Sequence, residues 1–431
     1  MQQDYTRYQI VLPVLMGLES VLGDELKALG YPEEKIIKEN ALVRLDCDGD
    51  AEKAKKALAR CNVFLRTAER VEVEVARFKA RDFDELFYAV QAEPWEAWIE
   101  KRAAFAISGY SRKSKLYAPS AIQSTIKKAI VLRLQKAWHL PENHRLEEDR
   151  SFSDLRIHYS IMNDEVSLRF DTSGTGLHKR GYRRAHNAAP IKANLAAGII
   201  YLSRWEALSG DMLYDPVCGS GTFLTEAALM AASAAPGMRR GFRAERWAFA
   251  GEEIFRRARE EARDLADFST PEEIFIAGSD KDGRALRLAE ENAERAGVRA
   301  FVHLEKADLF ALDEAELRRR FEAERILFTA NPPYGERMAD AREAADINRG
   351  LARLAFSQRA AYTKKGCRLS VITAADFEAD TGRRADKRRK LYNGMIKCTL
   401  YLYFREIRGN HKRNKTKETK SKAKKPDKLN S

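Results

Sequence analysis

Asp215-Pro216-Val217-Cys218-Gly219-Ser220-Gly221-Thr222 follows the short apolar run Leu213-Tyr214 and opens a helical pattern carrying Phe223, Leu224, Ala227, Ala228 and Leu229. Strand, glycine turn and helix in that order form the opening unit of an open α/β sheet, where ligands bind beyond the carboxyl ends of the strands. Two glycines two apart let the backbone approach a ligand without a Cβ in the way. Asp215, four positions before Gly219, can accept a hydrogen bond from an ammonium group, which suits a methionine moiety. The dinucleotide fingerprint asks for a third glycine where this chain has Leu224, and then for an acid about 20 residues on; that spacing is interrupted here.

From about Phe170 onward, strand-like runs alternate with helical patterns, as a parallel sheet flanked by helices requires. After Leu213-Tyr214 the runs are Ile274-Phe275-Ile276-Ala277, Val302-His303-Leu304, Ile326-Leu327-Phe328 and Leu369-Ser370-Val371-Ile372. Asn393-Gly394 is then a two-residue hairpin signal ahead of the strand-like Cys398-Thr399-Leu400-Tyr401-Leu402-Tyr403-Phe404. The sheet is therefore expected to end in an antiparallel hairpin, an ending common in class I methyltransferases.

Two further acids stand at expected strand ends. Asp280, in Gly278-Ser279-Asp280, is assigned to ribose hydroxyls, and its distance from Gly221 implies an insertion from Ala231 to Pro271 containing Phe242, Trp247 and Phe255. Asp308, in Lys306-Ala307-Asp308-Leu309-Phe310, is placed to accept from an adenine amino group. Either acid could instead cap a helix, a role that Asp fills well.

Asn331-Pro332-Pro333-Tyr334-Gly335-Glu336-Arg337 ends the run Ile326-Leu327-Phe328. Consecutive prolines fix φ and remove two backbone donors, so the segment offers mostly acceptors. An exocyclic amine of a base holds its lone pair in conjugation and must be turned before it can attack a methyl group. In this reading the side-chain oxygen of Asn331 and the carbonyl of Pro332 each accept one amine hydrogen, while Tyr334 stacks on a base drawn out of its helix or loop. Methyl transfer to such an amine needs positioning more than a strong base. Taken alone, the four residues also make a turn.

A chain of 431 residues is expected to hold two or three domains. No run of eighteen apolar residues occurs and Met1-Gln2-Gln3-Asp4 opens no signal peptide, so the expectation is a soluble cytoplasmic protein without membrane contact. The five cysteines are scattered and no histidine cluster accompanies them, which indicates neither disulfides nor a metal. Net charge is +13, of which the stretch from Lys412 to Ser431 supplies +7, composed as a solvated tail is. In the first half, Ile10-Val11-Leu12-Pro13-Val14-Leu15 precedes a helical pattern through Leu18, Val21, Leu22 and Leu26 that stops at Gly30. Val71-Glu72-Val73-Glu74-Val75 alternates like a half-buried strand, and a helix from Ser120 shows Ile122, Ile126 and Ile130 on one face.

These residues resemble a known family, the bacterial THUMP-domain RNA guanine-N2 methyltransferases of the YpsC type, similar to the amino-terminal methyltransferase half of RlmL. The matching stretches are Lys113-Ser114-Lys115-Leu116-Tyr117, Leu177-His178-Lys179-Arg180-Gly181-Tyr182-Arg183, Ala189-Pro190-Ile191-Lys192, Asp215 to Thr222, Asn331 to Arg337, and Lys390-Leu391-Tyr392-Asn393-Gly394. The resemblance implies a ferredoxin-like segment over residues 1–54, a THUMP RNA-binding domain over 55–165, a class I (Rossmann-like) α/β methyltransferase domain with a seven-stranded sheet over 166–408, and a basic disordered tail over 409–431. It implies S-adenosylmethionine as cofactor and RNA as partner, with 23S ribosomal RNA favoured over transfer RNA and no obligate protein partner. It also implies a single methyl-transfer activity, since no second methyltransferase domain follows Arg408. RNA contacts are expected from Arg112, Lys113 and Lys115 and from a second cluster that includes Arg388 and Lys390. An adenine-N6 methyltransferase and a non-catalytic RNA-binding or ribosome-assembly factor remain open at this stage.

Overall fold

The computed structural model describes residues 8–141, 144–183, 191–333, 338–356 and 368–404. Tyr334 and the basic tail lie outside the described residues.

The first sheet is built from β1 (Ile10–Pro13), β2 (Ile36–Glu39), β3 (Leu42–Leu45), β4 (Glu72–Lys79), β5 (Ala103–Arg112), β6 (Asp149–Met162) and β7 (Glu165–Asp171), in the order β2-β3-β1-β4-β7-β6-β5. Only β5 and β6 run parallel. The apolar run at Ile10 becomes β1, an inner strand whose Ile10, Val11 and Leu12 are fully buried. The helical pattern after it becomes Glu19–Ala28, closed by Gly30 at φ +89°. The helix Pro119–Ala137 buries Ile122, Ile126 and Ile130 as their spacing predicts.

The alternation in Val71-Glu72-Val73-Glu74-Val75 gives the strand but not its exposure. Glu72 and Glu74 are as buried as the valines between them. Strand β4 lies between β1 and β7, and side chains from β7 and from the next strands out, β3 and β6, reach its carboxylates. Arg44 on β3 holds Glu74 at 2.8 Å, and Ser167 on β7 donates to it as well. Glu72 sits 3.1 Å from Arg169 on β7 and 2.5 Å from the Nδ1 of His158 on β6. A single strand cannot reveal partners that arrive only when the sheet forms.

The second sheet contains β8 (Asp211–Asp215), β9 (Ile276–Asp280), β10 (His303–Lys306), β11 (Arg325–Ala330), β12 (Leu369–Thr373), β13 (Lys387–Asn393) and β14 (Ile396–Tyr403), in the order β10-β9-β8-β11-β12-β14-β13. The first five strands are parallel, while β14 runs antiparallel to β12 and pairs with β13 as a hairpin. The hairpin turn is Gly394-Met395 rather than Asn393-Gly394, because Asn393 pairs with Ile396 and Gly394 takes φ +64°. Glycine thus occupies the first turn position instead of the second, a one-residue offset that the dipeptide signal does not encode. Strand order reverses at β8: the chain builds outward through β9 and β10, then returns to place β11 on the other side.

The insertion over residues 231–271 binds the two halves together. Its helix Glu252–Leu265 packs on the helix Ala51–Phe64, where Arg60 grips Glu261 through two hydrogen bonds of 3.0 and 2.7 Å. Gly237 lies against the same helix, since a Cβ there would stand 2.6 Å from the carbonyl oxygen of Asn62. Trp247 packs edge-on to Phe170 at 5.6 Å, and Phe242 and Phe255 are buried beside each other.

Replacing Glu74 tests the buried ion pairs. Glu74→Ala leaves the guanidinium of Arg44 inside the sheet with Glu39 alone, and urea unfolding is expected to lose about 3 kcal/mol or more, the range found for broken buried pairs. A loss under about 1 kcal/mol is the signature of an exposed pair and contradicts this placement.

Candidate active site

Because strand order reverses at β8, the carboxyl ends of β8, β9, β10 and β11 open onto one crevice. A cavity of about 710 Å³ lies there. Each strand end contributes: Pro216, Val217 and Gly219 after β8, Asp280 and Lys281 at β9, Asp308, Leu309 and Phe310 after β10, and Asn331, Pro332 and Pro333 after β11. Lys192, Glu343 and Ile347 complete the walls, with Asn393, Gly394 and Ile396 of the β13-β14 hairpin at the side.

Asp215 ends β8 beneath this cavity rather than on its wall, 2% exposed and accepting from the amide of Val217 at 3.1 Å. Burial pushes its carboxyl up to about 8 and the nearby Asp280 adds to the rise, while the Val217 amide works against both. A cation brought close would draw that proton off. The loop above it is tied down by the amide of Cys218 on the Ser279 carbonyl, by the amide of Gly221 on the Cys218 carbonyl, and by Asn292 on the Ser220 carbonyl.

The two glycines of the loop have different duties. Gly219 has φ +53°, donates its amide to Asp280 at 2.9 Å, and has no heavy atom within 4 Å of where a Cβ would lie. That open space is part of the cavity. Gly221 is not on the cavity wall; at φ +71° it begins the helix Thr222–Ala231, and a Cβ there would approach Ala289 to 2.8 Å. Gly278 on β9, which the sequence marks only as the lead-in to Asp280, is a further close-packing glycine, since a Cβ there would come within 2.6 Å of Leu224 and 2.9 Å of the Asp215 carbonyl.

Asp280 and Asp308 both line the cavity. Asp280 also accepts from the amides of Gly219 and Asp282, each at 2.9 Å, so each carboxylate oxygen keeps capacity for another donor. Asp308 accepts from the amide of Phe310 at 2.9 Å and caps a short 3-10 turn, and it lines the cavity as well. Asn331 is half-buried and Pro332 buried at the end of β11, on the same wall. Lys192, at the end of the matching stretch Ala189-Pro190-Ile191-Lys192, has its ammonium 3.0 Å from Glu69, which lines a second cavity on the face of the first sheet. Nothing in sequence spacing joins residues so far apart.

Of the basic residues, Arg112, Lys113 and Lys115 are exposed on a tight turn at the end of β5. Ser114 donates to the Arg112 carbonyl at 2.9 Å and Asp164 accepts from the Lys115 amide at 2.8 Å, so the turn is held while its cations point outward. Arg388 is exposed but paired with Glu378 at 3.0 Å, and Lys390 is exposed 5.5 Å from the ring centre of Tyr392. Arg389, between them, donates to the Gly17 carbonyl at 2.6 Å and fastens the hairpin to the first half. Among the described residues no helix is long and apolar enough to cross a membrane, and no group of three metal-binding side chains occurs.

Residues 180–402 match the RMKL-like methyltransferase domain family UPF0020, residues 9–72 the RlmL ferredoxin-like domain and residues 80–171 the THUMP domain. The chain belongs to the RMKL-like methyltransferase family. It is 36% identical over 94% of its length to YpsC of Bacillus subtilis, a protein assigned by name to the RNA methyltransferases, and covers 98% of it. It is 34% identical to the ribosomal RNA large subunit methyltransferase K/L of Syntrophotalea carbinolica, over 89% of this chain and 52% of that one, so it spans about half the length of such K/L relatives. Among solved structures it is similar to SMU.472, assigned by name to the methyltransferases and solved in complex with SAH, at TM-score 0.80 and 34% identity over 93% of this chain and 98% of the other. A Listeria monocytogenes protein named as an N6-adenine-specific DNA methylase is similar at TM-score 0.79 and 36% identity, over 92% of this chain and 95% of that one. The family's cofactor is S-adenosylmethionine. The cavity suits it: the space left by the missing Cβ of Gly219 adjoins carboxylates at the next two strand ends.

The two glycines are separable by experiment. Gly219→Ala is expected to cost about 1–2 kcal/mol of stability, the penalty of left-handed backbone, and to abolish most SAH binding in calorimetry. Gly221→Ala adds a clash with Ala289 and is expected to cost about 2 kcal/mol or more in urea unfolding. Equal stability losses with equal residual binding contradict this division of roles.

Proposed function

We propose that this methyltransferase modifies the exocyclic N2 amine of a guanine in RNA, with 23S ribosomal RNA as the favoured substrate and transfer RNA as the next. The observation that carries the reading is the placement of Asn331 and Pro332 at the end of β11, on the wall of the cavity that Gly219, Asp280 and Asp308 also line. Two acceptors fixed beside a cofactor cavity fit an amine that has two hydrogens to donate. The matches to the THUMP and RlmL ferredoxin-like domains favour RNA over DNA, and the exposed Arg112, Lys113 and Lys115 offer charge for its phosphates.

When bound, S-adenosylmethionine supplies an electrophilic methyl group on a sulfonium. Asp280 is assigned to its ribose hydroxyls, Asp308 to its adenine amino group, the open backbone at Gly219 to close approach, and Asp215, beneath the wall, to its ammonium through water. The side-chain oxygen of Asn331 and the carbonyl of Pro332 accept the two amine hydrogens and turn the nitrogen lone pair out of conjugation toward the methyl carbon. Asn331 and Pro332 would hold the amine while its surplus proton passed to water, so that no side chain need act as a strong base. Tyr334, outside the described residues, is assigned to stack on the extruded base. Holding the reactants in line contributes about 7–11 kcal/mol in favourable cases, so no strong base is needed.

Adenine N6 is the second reading, because the same two acceptors serve that amine and the name of the Listeria relative refers to it. Guanine is preferred on the residue resemblance to the YpsC and RlmL type.

Asn331→Ala is expected to lower methyl transfer at least a hundredfold while SAH affinity, measured by calorimetry, stays within about twofold, removal of one such positioned donor or acceptor typically costing 10²–10³ in rate. Undiminished turnover in the variant removes the amine-clamp mechanism.

A further inference from the structure

The most exposed large apolar side chain among the described residues is Met395, at 97%. It occupies the second position of the β13-β14 turn, and its neighbours Asn393, Gly394 and Ile396 all line the cavity that Asn331 and Pro332 also line. The turn that carries it therefore borders the cavity, with Met395 itself outside the wall. Single exposed apolar residues are ordinary on a protein surface. This one differs by its place and its support.

The hairpin beneath it is held firmly. Leu391 and Cys398 are buried, Arg389 hydrogen-bonds the Gly17 carbonyl, and Gly17 packs so tightly on β13 that a Cβ there would stand 2.9 Å from the Lys390 carbonyl oxygen. Behind the turn Tyr392 pairs with Lys397, and Lys390 and Lys397 are both exposed. The hairpin thus carries one unbranched apolar side chain at its tip and two exposed lysines further back along a braced strand pair.

A base that must reach Asn331 has to leave its stack, and the gap it leaves is costly unless filled. Proteins that unstack nucleic acids insert apolar wedges, Met among them, while cations hold the flanking phosphates. We propose that Met395 is a positioning residue that enters the RNA stack as the target base departs, with Lys390 and Lys397 holding the backbone on either side. The proposal rests on the functional reading above. An exposed thioether chain suits the task, since it adapts to an irregular gap without a fixed shape.

The test uses the full chain with two RNAs: a stem-loop of 23S ribosomal RNA carrying the mapped methylation site, and a short unstructured oligonucleotide of the same flanking sequence. Met395→Ala is expected to lower kcat on the stem-loop at least tenfold with KM changed less than threefold, to stay within twofold of wild type on the unstructured RNA, and to leave SAH affinity unchanged. Met395→Leu, which keeps the bulk, restores the stem-loop rate. With 2-aminopurine in place of the target base and SAH present, the wild type raises fluorescence on the stem-loop and Met395→Ala does not. Equal losses on both RNAs, full activity of Met395→Ala on the stem-loop, or a change of oligomeric state in gel filtration each overturn the proposal. A wild-type chain that methylates no guanine amine in either RNA instead refutes the functional reading, and with it this inference.

Discussion

The reversal of strand order at β8 is the constraint on which the rest of the molecule depends. With β9 and β10 built to one side and β11 and β12 to the other, the loops after β8 and β11 diverge and cannot cover the crevice between them. Four strand ends that are distant in sequence then face one space and deliver three kinds of group: an open glycine backbone from β8, a carboxylate each from β9 and β10, and a pair of acceptors from β11. The glycines serve this geometry separately. Gly219 keeps the space clear, whereas Gly221 lets the start of the helix Thr222–Ala231 lie against Ala289 and Gly278 lets β9 lie against Leu224 and the Asp215 carbonyl.

The first half is not merely appended to this sheet. Arg60 with Glu261, Lys192 with Glu69, and Arg389 with the Gly17 carbonyl cross between the halves at three separate places. Two of these ties end on elements that border the reaction cavity, Lys192 on its wall and the β13-β14 hairpin at its side. The sheet that carries the exposed Arg112, Lys113 and Lys115, which the proposed function assigns to RNA, is thereby held in a fixed relation to the place where an amine would be positioned.

Much of this was legible in the chain. Local order sufficed for β8 to β12, whose apolar runs match the observed strands within a few residues, and chain order sufficed to put Asp280, Asp308 and Asn331 on one crevice. What escaped depended on partners remote in sequence. Glu72 and Glu74 alternate like surface residues, yet Arg44, His158 and Arg169 arrive from other strands to bury them. The hairpin signal named the right glycine and missed the register by one residue, because pairing along β13 and β14 sets which residue opens the turn. Lys192 and Gly278 show nothing distinctive in sequence, since the cavity and the neighbouring loop give them their importance.

The most direct measurement is the identity of the methylated nucleoside. Purified chain, S-adenosylmethionine and unmodified 23S ribosomal RNA should yield N2-methylguanosine on complete digestion and mass spectrometry, and the same mixture with Asn331→Ala should yield essentially none. N6-methyladenosine as the product, or N2-methylguanosine formed equally well by the variant, would contradict the account.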